Sequence, residues 1–339
     1  MPASLLLLTC ASCAAVAASA WGAGGGATRF VTKGTATRIV RFADDLNVVR
    51  YGHASLEELA VLSRGGRASV AECCADGTGL HGARALTGER VGVRTLLAPI
   101  PKPPVIYGIG LNYLTHAHEA NLTVPLHPAV FFKNRNSHND PLKPVSIPPQ
   151  SSLPDYEGEL AFVFAKDCKD VAAADAMGCV LGFTAANDVS ARCWQADKTA
   201  PDKCLLQNET YHPKPIGQWS FSKSFDSHCP LGPALLTTDD PSGRFKDGSG
   251  LQLQTHLNGK LMQNQTTSDL IFNISKIVAF LSQGTTIDAG TVVVTGTPGG
   301  IGYTRKPPVL LKDGDNVTIS IAGIGSLTNF ISRKNQEEL

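Results

Sequence analysis

The sequence predicts a mainly β protein of the α+β class. Two observations carry this. Thirty-three glycines and 21 prolines punctuate the 339 residues more often than a helical bundle tolerates. The apolar runs are also brief and bounded by Gly, Pro or Asp, with few stretches at helical period. With 42% hydrophobic and 17% charged residues, the chain can bury a core as one large domain or two unequal ones. Lys plus Arg number 30 against 29 acids, so no net field holds nucleic acid or an anionic membrane, and a small-molecule site or a protein partner is favoured.

Residues 1–27 stand apart as a leader. Leu5-Leu6-Leu7-Leu8 opens an apolar stretch that ends in Ala18-Ser19-Ala20, ahead of Trp21 and Gly24-Gly25-Gly26. This reads as a secretory signal peptide, too short and alanine-rich for a membrane span. The stretch before the leucines lacks Lys and Arg, while Arg29, Lys33, Arg38 and Arg41 precede the first acid, Asp44. That pattern also suits a transit peptide, so the expected location is the secretory pathway, with mitochondria as the alternative. Sequons at Asn121, Asn208, Asn264, Asn273 and Asn316 are compatible with secretion. Beyond the leader lie Cys73, Cys74, Cys168, Cys179, Cys193, Cys204 and Cys229. An odd count without Cys-x-x-Cys argues against a zinc site or a complete disulfide framework, and leaves at least one thiol free or paired between chains.

Thr37 to Phe42 and Asn47 to Tyr51 predict two strands joined by the Asp44-Asp45 turn. Pro99, Pro101, Pro103 and Pro104 then set a boundary, since such a cluster supports neither helix nor central strand. A small β-rich N-terminal domain (residues 37–98) therefore precedes a larger domain (104–332). Val105 to Ile109, Leu160 to Phe164, Thr291 to Thr295 and the alternating Asn316 to Ile321 read as strands. The clearest helix is expected to start at Ser268 as N-cap, with Leu270, Ile274, Ile277, Val278 and Leu281 on one stripe.

The most informative string is Asp155-Tyr156-Glu157-Gly158-Glu159, which runs into Leu160. In a strand, Glu157 and Glu159 share one face while Leu160, Phe162 and Phe164 face the opposite layer. Two carboxylates that close call for a proton or a hard cation; the plain alternative is a polar strand edge in water. Asp188 ends another apolar strand and supplies a third oxygen donor, although Asn187-Asp188 alone is an ordinary turn. Three carboxylates suit Mg²⁺ or Mn²⁺ better than zinc. His116 and Glu119, at i,i+3, would be neighbours on a helical turn where the glutamate raises the imidazole's basicity, a general base unless they form a solvated helix face. His118 points elsewhere and is expected to be structural. Lys223 lies among aromatic residues and could meet a substrate carboxylate or enolate, or be a surface lysine. Backbone N–H groups from Gly296 to Gly302, with the Thr297 hydroxyl, could serve an oxyanion. No Walker sequence or dinucleotide fingerprint is present, since Tyr113 stands where a third glycine belongs.

In this order, Gly110-Leu-Asn-Tyr-Leu-Thr-His116, Pro128-Ala-Val-Phe-Phe-Lys133, Asp155-Tyr-Glu-Gly-Glu159, Asn187-Asp-Val-Ser-Ala-Arg192, Lys223-Ser-Phe-Asp226, Pro230-Leu-Gly-Pro233, Asn258-Gly259 and Gly296-Thr-Pro-Gly-Gly-Ile-Gly302 resemble the fumarylacetoacetate hydrolase superfamily. Arg305 to Asp315 is most similar to its oxaloacetate tautomerase branch. The resemblance implies a mixed β-sandwich roll of the fumarylacetoacetase C-terminal type, usually a homodimer. It also implies Glu157, Glu159 and Asp188 as ligands of Mg²⁺ or Mn²⁺ (Ca²⁺ also being admissible), His116 with Glu119 as the acid/base dyad, and Lys223, Gln195 and Thr297 as substrate contacts. Cys193, Ser222 and the long stretch from Asp197 to Gln218 depart from the pattern. The expected enzyme is divalent-metal-dependent and acts on a small 2-oxo or β-dicarbonyl acid through a metal-stabilised enolate. Oxaloacetate keto-enol tautomerase comes first, with an acylpyruvate or fumarylacetoacetate-type hydrolase or a decarboxylase as alternatives. From another class comes a non-catalytic binding protein on the same scaffold.

Overall fold

A computed structural model describes residues 38–73, 86–151, 153–196, 217–240, 243 and 245–333. The leader, Cys74, Cys204, Asn208 and most of the long 197–218 stretch lie outside them.

Two large sheets dominate, as the punctuated β pattern predicts. The larger has twelve strands, ten of them in the spatial order Leu86–Val93, Ala68–Cys73, Val49–His53, Arg38–Ala43, Cys229–Thr237, Val180–Asn187, Gly158–Phe164, Val292–Val294, Ile106–Gly110 and Ala129–Lys133. Thr95–Leu97 adds to Arg38–Ala43, and His138–Asn139 adds to Cys229–Thr237. The second sheet orders Lys260–Thr266, Gln252–Leu257, Asn316–Ile321, Gly325–Arg333 and Val145–Ile147.

Strand Gly158–Phe164 is buried at every position, which explains its near-continuous apolar run after Glu159. Leu160, Phe162 and Phe164 enter the core that includes Leu253, Val317 and Ile319 of the five-stranded sheet. Ala161 and Val163 face the other way, with Val292, Val294 and Leu235. Each large side chain so buried contributes roughly 1.5–3 kcal/mol, so the strand bearing the candidate acids is anchored on both faces.

Near the N-terminus, Arg38–Ala43 and Val49–His53 pair around the expected turn, where Asp44 accepts the N–H groups of Leu46 and Val48. Arg38–Ala43 also pairs with Cys229–Thr237, so the sheet continues across the proline cluster. Helix Leu56–Leu62, started by a Ser55–Glu58 capping box, covers Phe42 and Val70 with Leu59 and Leu62.

One element boundary differs from expectation. The helix expected from Ser268 is Ile274–Leu281, capped by Asn273, whose side chain accepts from the Lys276 N–H. Ser268 sits in a separate 3₁₀ turn, Thr267–Asp269, capped by Thr266, and Leu270 is extended. Two capping residues seven positions apart break what looks like one helical stripe. Ile274, Ile277, Val278 and Leu281 are buried as expected. Cys168 and Cys179 form a disulfide, while Cys229 is a buried free thiol. Among the described residues, no helix is long and apolar enough to cross a membrane.

Candidate active site and metal centre

Gly158–Phe164 and Val180–Asn187 run antiparallel with Gly158 opposite Asn187. The residues just outside the pairing, Glu157 and Asp188, therefore meet at one sheet end. The Asp188 N–H donates to Glu157 O at 2.9 Å, and Asn187 Oδ1 accepts the Glu157 N–H at 3.1 Å. Gly158 separates the glutamates for a steric reason: a Cβ there would stand 2.1 Å from Thr255 Oγ1 on the facing sheet. Ligand oxygens of Glu157, Glu159 and Asp188 lie within 4.8 Å of one another, and all three residues are buried. The structure thus brings together the three acids put forward from the sequence, out of water.

Three cations enter the same cluster. Lys223 Nζ reaches Glu157 Oε2 at 2.8 Å, Asp188 Oδ2 at 2.5 Å and Ser190 Oγ at 2.8 Å, and stands 4.8 Å from the Phe131 ring centre. Lys133 Nζ meets Asp188 Oδ1 at 2.5 Å, both side chains fully sealed. Arg192 bridges Asp155 Oδ2 and Glu157 Oε1, each at 2.7 Å. Among the described residues, Glu159 accepts a hydrogen bond from the Gly296 N–H alone, at 2.7 Å.

The electrostatics follow from that uneven distribution. Burial pushes the Glu157 carboxyl up, but Lys223 and Arg192 outweigh it and hold Glu157 well below the usual carboxylate range. Burial, reinforced by Asp188 and Glu157, drives Glu159 well above that range. Burial pulls the Lys223 ammonium down, yet Asp188 and Glu157 outweigh it and hold Lys223 above the ordinary lysine value. Four acids (Asp155, Glu157, Glu159, Asp188) face three cations (Lys133, Arg192, Lys223), which leaves one uncompensated negative charge, centred on Glu159. A proton or a cation must make up the deficit. The donors are all oxygens and include no thiolate or imidazole, so the residues fit a hard divalent ion such as Mg²⁺ or Mn²⁺.

The His–Glu pair forms at the rim. Helix Leu114–Glu119 puts His116 Nδ1 3.5 Å from Glu119 Oε2, with side chains 14% and 30% exposed. Asp269 Oδ2 accepts both the Thr115 N–H and its hydroxyl, which fixes the helix start. The Gly300 N–H donates to both Glu119 oxygens, at 3.1 and 3.0 Å. Gly300 has a φ of +99° and a Cβ there would lie 2.3 Å from Met262 O, so only glycine fits this turn. Burial pushes Glu119 up, but His116 and the donors Gly300 and Thr304 prevail and hold it below the ordinary glutamate value. His118 is exposed on another side of the helix.

The other expected substrate contacts differ from open contacts. Lys223 is sealed among the acids, and the Gly296 N–H is spent on Glu159. The Thr297 hydroxyl donates to Gly158 O at 3.0 Å and accepts from Gln263 at 2.7 Å. Gln195 Oε1 accepts from Arg192 at 2.6 Å. Each polar group is thereby engaged in holding the cluster. Sequence reasoning gave no role to Lys133, Asp155 or Arg192, though all three balance the site's charge. For Lys133 a signal existed: it shares strand phase with buried Phe131, opposite exposed Phe132.

A buried acid cluster beside a rim His–Glu pair, carried by two packed sheets, defines an enzyme site on a β-sandwich roll. Residues 105–332 match the family model described as fumarylacetoacetate (FAA) hydrolase C-terminal, and the chain belongs to the fumarylacetoacetate hydrolase family of enzymes. It is 41% identical over 235 residues to the mitochondrial oxaloacetate tautomerase fahd2 of Xenopus laevis, covering 69% of this chain and 67% of that one. It is 40% identical over 237 residues to the mitochondrial oxaloacetate tautomerase FAHD2A of Homo sapiens, covering 70% and 69%. Among solved structures, it is similar to 2-hydroxyhepta-2,4-diene-1,7-dioate isomerase from Mycobacterium marinum, with a TM-score of 0.67 and 31% identity over 88% of this chain and all of that one. Fumarylacetoacetate hydrolase from Exiguobacterium antarcticum gives a TM-score of 0.65 and 28% identity over the same shares. Family membership sets aside the non-catalytic scaffold reading.

Proposed function

We propose that the chain is a divalent-metal-dependent keto-enol tautomerase acting on oxaloacetate. The observation that carries this reading is the buried triad of Glu157, Glu159 and Asp188, one negative charge in excess, beside the His116–Glu119 pair. The tautomerase names of the Xenopus and human relatives support the choice of substrate. Bound at the triad, Mg²⁺ or Mn²⁺ would supply a Lewis acid that polarises the 2-oxo group.

The chain's own residues do the rest. His116 removes the C3 proton of the keto form and delivers a proton to the enol oxygen, and the reverse conversion uses the same steps in the opposite order. Glu119, kept ionised by Gly300 and its neighbours, orients the imidazole and shares its positive charge. Lys223 and Lys133 fix Asp188, while Arg192 and Lys223 fix Glu157. Gly296 and Thr297 hold Glu159 and the strand that carries it, and Gln195 steadies Arg192.

The test follows enol absorbance as freshly dissolved oxaloacetate equilibrates. Enzyme loaded with Mg²⁺ accelerates the change, and a folded His116→Ala variant loses about 10²–10⁴-fold. Equal rates for the two proteins would end the reading. A second reading, a C–C bond hydrolase, is supported by the Exiguobacterium relative's name; the same dyad would then activate water, and release of two acids from an acylpyruvate distinguishes it. The mitochondrial names of the relatives favour the transit-peptide reading of residues 1–27 over secretion, which imaging of a tagged full chain would decide. The proposed homodimer is supported by exposed Leu122, Leu126, Phe132 and Phe221, and light scattering at a twofold chain mass is its expected outcome.

A further inference from the structure

Three of the four cations around the site answer to carboxylates: Lys133 to Asp188, Lys223 to Glu157 and Asp188, and Arg192 to Asp155 and Glu157. The fourth, Arg305, has no carboxylate partner among the described residues, only carbonyl oxygens and the Tyr156 hydroxyl. Its Nη2 donates to Met262 O at 2.6 Å and Gly300 O at 3.3 Å, and its Nε is buried with no hydrogen-bond partner. Gly300 ties this guanidinium to the chemistry. Its carbonyl also accepts the Tyr156 hydroxyl at 3.0 Å, and its N–H holds Glu119. Arg305 is thus fixed through the carbonyl of the same glycine whose N–H positions the dyad, and Tyr156 leads directly into Glu157.

We propose that Arg305 is a specificity-determining residue that receives the second carboxylate of a dicarboxylic 2-oxo acid. This rests on the reading of the triad and dyad as the site of a 2-oxo acid. Two carbonyls hold one arm of a planar fork, so little side-chain freedom is lost when an anion meets the rest. A half-buried guanidinium with no acid and an unsatisfied N–H among the described residues is costly until such an anion arrives. A carboxylate can accept from it with two oxygens in one plane, whereas a methyl group offers nothing. The triad takes the end of the substrate that reacts, and Arg305 selects for charge at the other end.

The discriminating pair is oxaloacetate and 2-oxobutanoate, which have the same carbon number but a carboxylate or a methyl group at C4. Dissociation constants for both, measured calorimetrically on the Mg²⁺-loaded full chain, give a result that does not depend on turnover. C3 deuterium exchange followed by NMR gives KM and kcat beside them. The expected outcome is that Arg305→Met weakens oxaloacetate roughly 10- to 100-fold, the usual range for one charge-assisted pair, and leaves 2-oxobutanoate within about twofold. Arg305→Lys restores part of the loss, because it keeps the charge without the fork. The change falls on KM more than on kcat. Equal weakening of both ligands by either variant, or a parent protein that binds both equally, would overturn the proposal. A parent that discriminates in binding but exchanges no C3 proton would instead count against the tautomerase reading and leave Arg305 in its role.

Discussion

The acid cluster and the His116–Glu119 turn are two ways of keeping charge at one site. In the cluster every carboxylate is sealed, Lys133 and Asp188 have no exposed side-chain surface, and contacts of 2.5–2.8 Å join elements far apart in sequence. At the turn the partners are three residues apart, partly exposed, and 3.5 Å from each other, with Glu119 steadied by a backbone N–H. The difference teaches a division of labour. Sealed charges tolerate no vacancy, so they fix geometry and set an electrostatic deficit that a proton or a cation must make up, whereas the rim groups are partly exposed and only loosely paired.

The largest expected effect comes from opening the sealed side. Lys133→Met leaves Asp188 short of a buried partner and is expected to lower stability by about 3–5 kcal/mol, read from urea unfolding. Retention of parental stability would mean that the cluster is wetter than its burial implies. Acid should act on the same side. The fully buried His228 is pushed down to about 3, first by burial and then by Lys133. Its ordinary value in an unfolded chain is about 6.5, so between those values the unfolded state binds the extra proton and stability falls as pH falls. The loss approaches about 5 kcal/mol near pH 3 at 1.36 kcal/mol per unit, and His228→Phe should flatten that limb of the stability–pH curve.

Turning to the rim, His116→Ala is expected to cost activity about 10²–10⁴-fold while changing unfolding free energy by no more than about 0.5 kcal/mol. Glu119→Gln keeps the shape and removes the charge, for a smaller loss of on the order of tenfold in kcat. Because Glu119 is held below the ordinary glutamate value, its ionised form persists to lower pH than that of a free glutamate, and the acid limb of the parent's rate profile should extend accordingly. The smallest effect serves as control: Arg67 and Asp45, 3.8 Å apart and 79% and 65% exposed, should cost nothing measurable when Arg67 becomes Ala.

Much of this contrast was legible in the sequence. A brief apolar run located Gly158–Phe164, period-two alternation located Asn316–Ile321, and the string Glu157-Gly-Glu159 marked two acids on one face. The i,i+3 spacing of His116 and Glu119 needed only one helical turn to become a pair. Local rules reach such features because the partners are near in sequence. The phase Lys133 shares with Phe131 hinted at burial, but its partner was out of reach: Asp188 lies 55 residues away, and only the placement of Ala129–Lys133 within the sheet seals the ammonium against it. Gly296 and Thr297 pointed to the right place, but their contact with Glu159 and its strand was not legible, since a backbone N–H after a strand looks the same whether it serves a ligand or a carboxylate. The helix start at Asn273 was hidden because Leu270 happens to fall in phase with the true stripe across the break made by Thr266 and Asn273.

Charge balance at the triad is the claim on which both halves of the comparison depend, and a calorimetric titration of the full chain with Mg²⁺ or Mn²⁺ probes it without assuming any substrate. Saturable binding of about one ion per chain is expected, abolished in Glu159→Gln and Asp188→Asn variants that remain folded. An absence of saturable heat in the parent, or binding unchanged in both variants, would contradict it.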